Sequence, residues 1–92
     1  MKEHTLKILI EFADAVLAGE KNFEIRENDR GYQKGDLVKF IVVDSRGYGI
    51  NHPLNIWRDH TFKITYVMNG WGLKNGFVVF GIQEVHHAKD DM

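Results

Sequence analysis

The chain has no cysteine, a single proline among 92 residues, and no uninterrupted apolar run longer than four residues. Without thiols there can be no disulfide framework, Cys-ligated zinc or iron–sulfur site, or cysteine nucleophile, and a reducing compartment is expected. Runs of four fall far short of the roughly 18 apolar residues that suggest a membrane-spanning helix. The opening MKEHTLKILIEF carries Glu3 and Glu11 where a signal peptide needs an uncharged stretch. A soluble, cytoplasmic protein with no membrane partner is therefore expected. An excess of one sign of charge is also missing: 12 Lys and Arg stand against 13 Asp and Glu, a formal net charge of −1. Any contact with a polyanion must then come from a local basic patch. There is no repeat, low-complexity tract or linker.

What is present is apolar material for one core: 43% hydrophobic residues, including six Phe, three Tyr and two Trp, in a chain the size of one domain. Residues 5–9 read as a short strand. Leu9, Phe12, Ala13, Val16 and Leu17 recur at spacings of three and four, which predicts a short helix with one apolar stripe, stopped by Gly19. Too short to stand alone, that helix needs a sheet to lie on. Strand patterns follow at 23–26, 37–43, 58–68 and 77–82; in the third, Phe62, Ile64, Tyr66 and Met68 share one face. The fold class expected is α+β, mainly β: a small closed or nearly closed barrel of about five strands with one flanking helix, which would leave no exposed edges. The domain is expected over 4–84, with a polar tail at 85–92.

Two loops stand out. Residues 44–55 form a long segment with Gly47, Gly49, Asn51 and Pro53, a length often associated with function or mobility. In residues 69–76, Trp71 lies between Gly70 and Gly72; a plug for one barrel end is preferred to a stacking platform, because large aromatics in small domains usually bury.

The densest polar signal lies at 19–30. If 23–26 is a strand, alternation sends Phe23 and Ile25 into the core and turns Glu24 and Arg26 to the opposite face. Lys21, in the turn after the helix, can swing toward both. The result is one carboxylate flanked by two cations, an anion-binding spot with its own counter-charge. The plainer reading is a solvated strand face whose ion pair contributes little.

Written as G-x-K-x-x-E-x-R, Gly19, Lys21, Glu24 and Arg26 match the signature of the ASCH domain superfamily, a branch of the PUA-like β-barrels. His4-Thr5-Leu6-Lys7, Asn28-Asp29-Arg30, Gly35-Asp36, Gly72-Leu73 and Gly76-Phe77-Val78-Val79 extend the resemblance to about 4–82. It implies a barrel with the helix packed beside it and a cleft between them. It also implies RNA or nucleotide as partner, with Lys21 and Arg26 on phosphate and Glu24 orienting them or accepting from a base. Arg30 and His4 complete the expected ligand-binding set. Some ASCH members resemble hydrolases that deacylate a modified cytidine; the alternative is thus a small hydrolase on a modified nucleoside or RNA, with Lys21 and Glu24 catalytic. Those relatives carry threonine where this chain has Glu24, so the hydroxyl nucleophile is missing here and Glu24 would act as a base on water.

His4 is as readily a satisfied structural histidine as a cleft residue. His52, His60, His86 and His87 lack the spacing of a metal site, and no metal or cofactor is expected. Tyr32, Tyr48 and Trp57 are stacking candidates, with a core or rim role preferred for Trp57.

Overall fold

The computed structural model describes residues 1–55 and 60–85. Trp57, His86, His87 and the first residues of the expected 58–68 strand lie outside that set. The elements run β1 (Glu3–Leu9), α1 (Ile10–Leu17), β2 (Phe23–Glu27), β3 (Leu37–Val43), β4 (Phe62–Asn69) and β5 (Phe77–Glu84). They form one mixed sheet of order β1-β3-β4-β5-β2, with β1 parallel to β3 and the other pairs antiparallel. The β-branched run of β3 stands beside β1, and alternate residues of the strands meet in one core around Leu6, Val38, Phe40, Ile64 and Phe80. No helix among the described residues is long and apolar enough to cross a membrane.

The main-chain ladder does not close into a barrel: β1 and β2 are the two edges and do not pair. Side chains bridge them instead. Arg26 Nη2 donates to Lys7 O at 2.6 Å and Arg30 Nη1 to Thr5 O at 3.2 Å. Lys7 and Thr5 lie two residues apart on β1, so their carbonyls point to the same side, away from β3. Guanidinium groups thus satisfy acceptors that another strand would otherwise take, which protects the edge.

The helix follows β1 directly, with no side-chain cap at Leu9, and rests on β1 and β3. Of its expected stripe only Ala13 and Val16 are buried; Leu9 and Leu17 are exposed, and Phe12 is 45% exposed. Eight residues give barely two turns, so the buried face narrows to one contact line. At its end Gly19, at φ 78°, takes the left-handed conformation that lets the N–H groups of both Glu20 and Lys21 bond Ala15 O. That reversal brings Lys21 back toward β2.

Three further expectations are corrected. In β4 a bulge between Ile64 and Tyr66 shifts the register, so Phe62 and Ile64 face the core while Tyr66 turns outward and Val67 takes the inner position opposite Phe80. Trp71 plugs nothing: it is 89% exposed at the β4–β5 turn, in left-handed conformation at φ 53° between Gly70 and Gly72. The 44–55 loop is tied down. Asn55, fully buried, accepts from Val42 N–H at 2.7 Å and donates to Ile50 O at 2.8 Å. His52 Nδ1 accepts from Leu54 N–H, so Nε2 carries the proton it donates to Asp14 Oδ1, clamping the loop to α1.

Candidate functional site

The site is built on β2, and its side chains face opposite to the alternation expected. Cross-strand partners share a face. Glu24 stands opposite Phe80 and Arg26 opposite Val78, both buried residues of β5, so the charged pair lies on the core side. Phe23 and Ile25, opposite Gly81 and Val79, are on the outer face and exposed. The expected burial of Phe23 and Ile25 is therefore overturned, because β5 fixes the register and its apolar residues already occupy the inner positions.

Glu24 is only 4% exposed. A buried carboxylate is costly unless paired, and this one is paired at both oxygens. Lys21 Nζ bonds Oε2, while Arg26 donates to Oε1 from Nε at 3.0 Å and Nη2 at 2.8 Å. The same Lys21 ammonium donates to Phe23 O at 2.6 Å, and Arg26 reaches on to Lys7 O. Lys21, Glu24 and Arg26 thus come together as expected, through three charge-assisted hydrogen bonds and a net charge of one positive.

Beside this cluster, a cleft of about 530 Å³ opens between the β1–α1 junction and 21–26. Its apolar wall includes Ile8, Leu9 and Phe12, and Phe23 and Ile25 face them from β2. Lys21 Nζ lies over both aromatic rings, 5.5 Å from the Phe12 centroid and 5.0 Å from that of Phe23. No residue lining the cleft carries a hydroxyl or thiol. Phe12, assigned to the core by its helical spacing, is in fact a cleft residue; nothing in its own periodicity separates the two roles.

The other expected site residues lie apart. His4, expected to reach the cleft, is buried: Nε2 bonds Asp36 Oδ2 at 2.9 Å, and its ring packs 4.8 Å from Tyr32. Burial alone would raise the Asp36 carboxyl. The bonds from His4 and from the backbone N–H groups of Lys2 and Gln33 outweigh it and hold Asp36 below the ordinary aspartate range. Arg30 lies farther along the β1–β2 seam, over Thr5 O and near Asp29, not in the cleft lining. Between His4 and Phe80 sits Tyr32, whose hydroxyl is pushed up by burial; Arg26 and Arg30 partly offset this, and Asp29 and Glu24 reinforce it. Among the described residues no group of three or more His, Asp or Glu is placed to hold a metal ion.

No curated protein matches the chain. A family model described as a domain of unknown function (DUF3850) matches residues 3–82, from the start of β1 to within two residues of the end of β5. The matched stretch includes every residue of the cleft, and the chain belongs to the DUF3850 family.

Proposed function

We propose that the cleft binds a nucleotide, free or as an unpaired residue of RNA. The observation that carries this reading is the pair of exposed rings, Phe12 and Phe23, sharing one ammonium that is itself anchored to a buried carboxylate. A planar base supplies what the rings lack, a π face to stack on. Lys21 and Arg26 supply donors for phosphate or a base carbonyl, and Glu24 orients both. The volume suits a small ligand rather than a duplex. The match of Gly19, Lys21, Glu24 and Arg26 to the ASCH signature supports the same reading. The arginine-bridged seam between β1 and β2 supports a PUA-like barrel in which side chains complete the closure.

Direct contact between Lys21 and Glu24 favours one second reading, a hydrolase in which they relay a proton. Both Glu24 oxygens are already engaged by cations and the cleft lining holds no hydroxyl, so binding ranks first. The test is an NMR titration of the full chain with nucleosides, nucleotides and acylated cytidine. Shifts confined to the end of β1, α1, Lys21 and β2, abolished by Lys21→Ala with the fold intact, with the ligand recovered unchanged, are expected. Turnover of acylated cytidine that Lys21→Ala removes would promote the hydrolase; absence of any shift would end the nucleotide reading.

A further inference from the structure

The bulge in β4 and the register of β2 leave an outer sheet face that the cleft alone does not explain. Across β2, β5 and β4, Phe23 and Tyr66 both stand opposite Gly81, and Ile25 and Met68 both stand opposite Val79. A third row pairs Glu27 with Phe77. Gly81 keeps the first row low: a Cβ there would come within 2.5 Å of Thr65 Oγ1, so the absence of a side chain at Gly81 leaves that space to Thr65. Tyr66 is 64% exposed, and beyond the rows Trp71 stands almost bare at the hairpin tip. At the tip a second cavity of about 510 Å³ joins Asn28, just past the end of β2, to Lys74 and Phe77.

Both ends of this face carry a cation over a ring. Lys21 lies over Phe23, and Lys74 lies 5.8 Å from the Phe77 centroid. Interfaces between proteins exclude charge from their centre and are depleted in lysine. Aromatic side chains interleaved with lysines are instead what a single-stranded nucleic acid requires, π faces for successive bases and cations for the backbone between them.

We propose that a single-stranded RNA runs from the cleft across this face, stacking on Phe23 and Tyr66 and ending on Trp71, with Lys21 and Lys74 on its phosphates. The inference rests on the nucleotide reading of the cleft and names its ligand as a strand rather than a free nucleotide. From Phe23 to Tyr66 the track crosses two strand spacings, about 10 Å, and from Tyr66 it follows β4 for about another 10 Å to Asn69, where the turn carrying Trp71 begins; with the base on Trp71 this gives room for on the order of four nucleotides, at the low end of single-strand site sizes. Three consecutive left-handed residues, Gly70, Trp71 and Gly72, hold the indole out in solvent, where a base reaches it without rearrangement.

The experiment compares a mononucleotide with unlabelled and labelled oligouridylates of four and eight residues, by NMR and fluorescence anisotropy, on the wild type and on Tyr66→Ala, Trp71→Ala and Trp71→Gly. Trp71→Gly guards against a folding artefact, since glycine adopts the left-handed conformation freely. The tetramer should bind at least 10-fold tighter than the mononucleotide. Each substitution should weaken the tetramer by about 5- to 140-fold, the range for one lost base stack, and leave the mononucleotide unchanged. A tetramer no tighter than the mononucleotide, or one indifferent to Tyr66 and Trp71, overturns the track while the cleft reading stands. Failure of the mononucleotide and oligomers alike removes the cleft reading and the track with it. Sedimentation of the wild type as a dimer that Tyr66→Ala dissociates, with no RNA binding, would assign the face to a second copy of the chain and overturn the proposal.

Discussion

Removing Glu24 should destabilise this protein more than removing either of its partners. The carboxylate is buried on the core side of β2 and receives three hydrogen bonds from two cations. Glu24→Ala strips all three and leaves Lys21 and Arg26, whose side chains are 16% and 24% exposed, facing each other without a counter-charge. Breaking a buried ion pair from one side costs about 3 to 5 kcal/mol. Partial solvent access to both cations puts Glu24→Ala near the lower end, about 3 kcal/mol. Lys21→Ala leaves Glu24 still held by the two Arg26 nitrogens, so about 1 kcal/mol is expected. Glu24→Gln should fall between, because the amide oxygen can still accept from Arg26 while its NH₂ opposes the Lys21 ammonium. Urea unfolding followed by circular dichroism reads these differences directly. With a slope of about 1 kcal/mol/M for a small domain, the midpoints should drop by about 3 M for Glu24→Ala and 1 M for Lys21→Ala. A Glu24→Ala midpoint within 0.5 M of wild type, as an order-of-magnitude threshold, or above that of Lys21→Ala, would mean that the cluster does not hold the fold and that its burial has been misjudged.

The helix offers a paired test: Val16→Ala, at a buried position, should cost about 2 kcal/mol, and Phe12→Ala, whose ring is nearly half exposed, should cost less than the 3 to 5 kcal/mol of a core phenylalanine while weakening nucleotide binding. Asn55→Ala should cost about 2 to 3 kcal/mol, since it leaves the buried Val42 N–H without its acceptor, and should raise amide exchange at Val42. Asp36, held below its ordinary value in the folded state, contributes stability that is complete above about pH 5 and is lost as the pH falls through about 4 toward the folded value. Asp36→Asn should therefore flatten the acid limb of the stability profile, and an unchanged limb would refute the assignment. For ligand binding, Lys21 and Lys74 on two phosphates predict a slope of log K against log salt of about −1.4 for an oligomer, and a mononucleotide, which has no condensed counterion atmosphere to release, should depend on salt less steeply.

Much of the architecture is legible in the sequence. The helix ending at Gly19, the five strands and the convergence of Lys21, Glu24 and Arg26 all rest on local features: period, a left-handed stop, and a spacing short enough for side chains to meet. These features are properties of neighbouring residues, and the chain carries them wherever it folds. Which face of a strand points inward is another matter. Phe23-Glu24-Ile25-Arg26 alternates equally well either way, and its apolar members look like the core pair until β5 places Phe80 and Val78 inside first. The β4 alternation likewise runs true to Ile64 and reverses after the bulge, which exists only because β5 pairs with it in a shifted register. Phe12 lies on the helix stripe by sequence and on the cleft wall by structure, because an eight-residue helix covers the sheet along only one line. His4 found Asp36, 32 residues away, and not the cleft. Period and turn chemistry act over a few residues and decide which elements form; register, edge pairing and the partners of buried charge are settled between segments distant in the chain, and only the assembled sheet determines them.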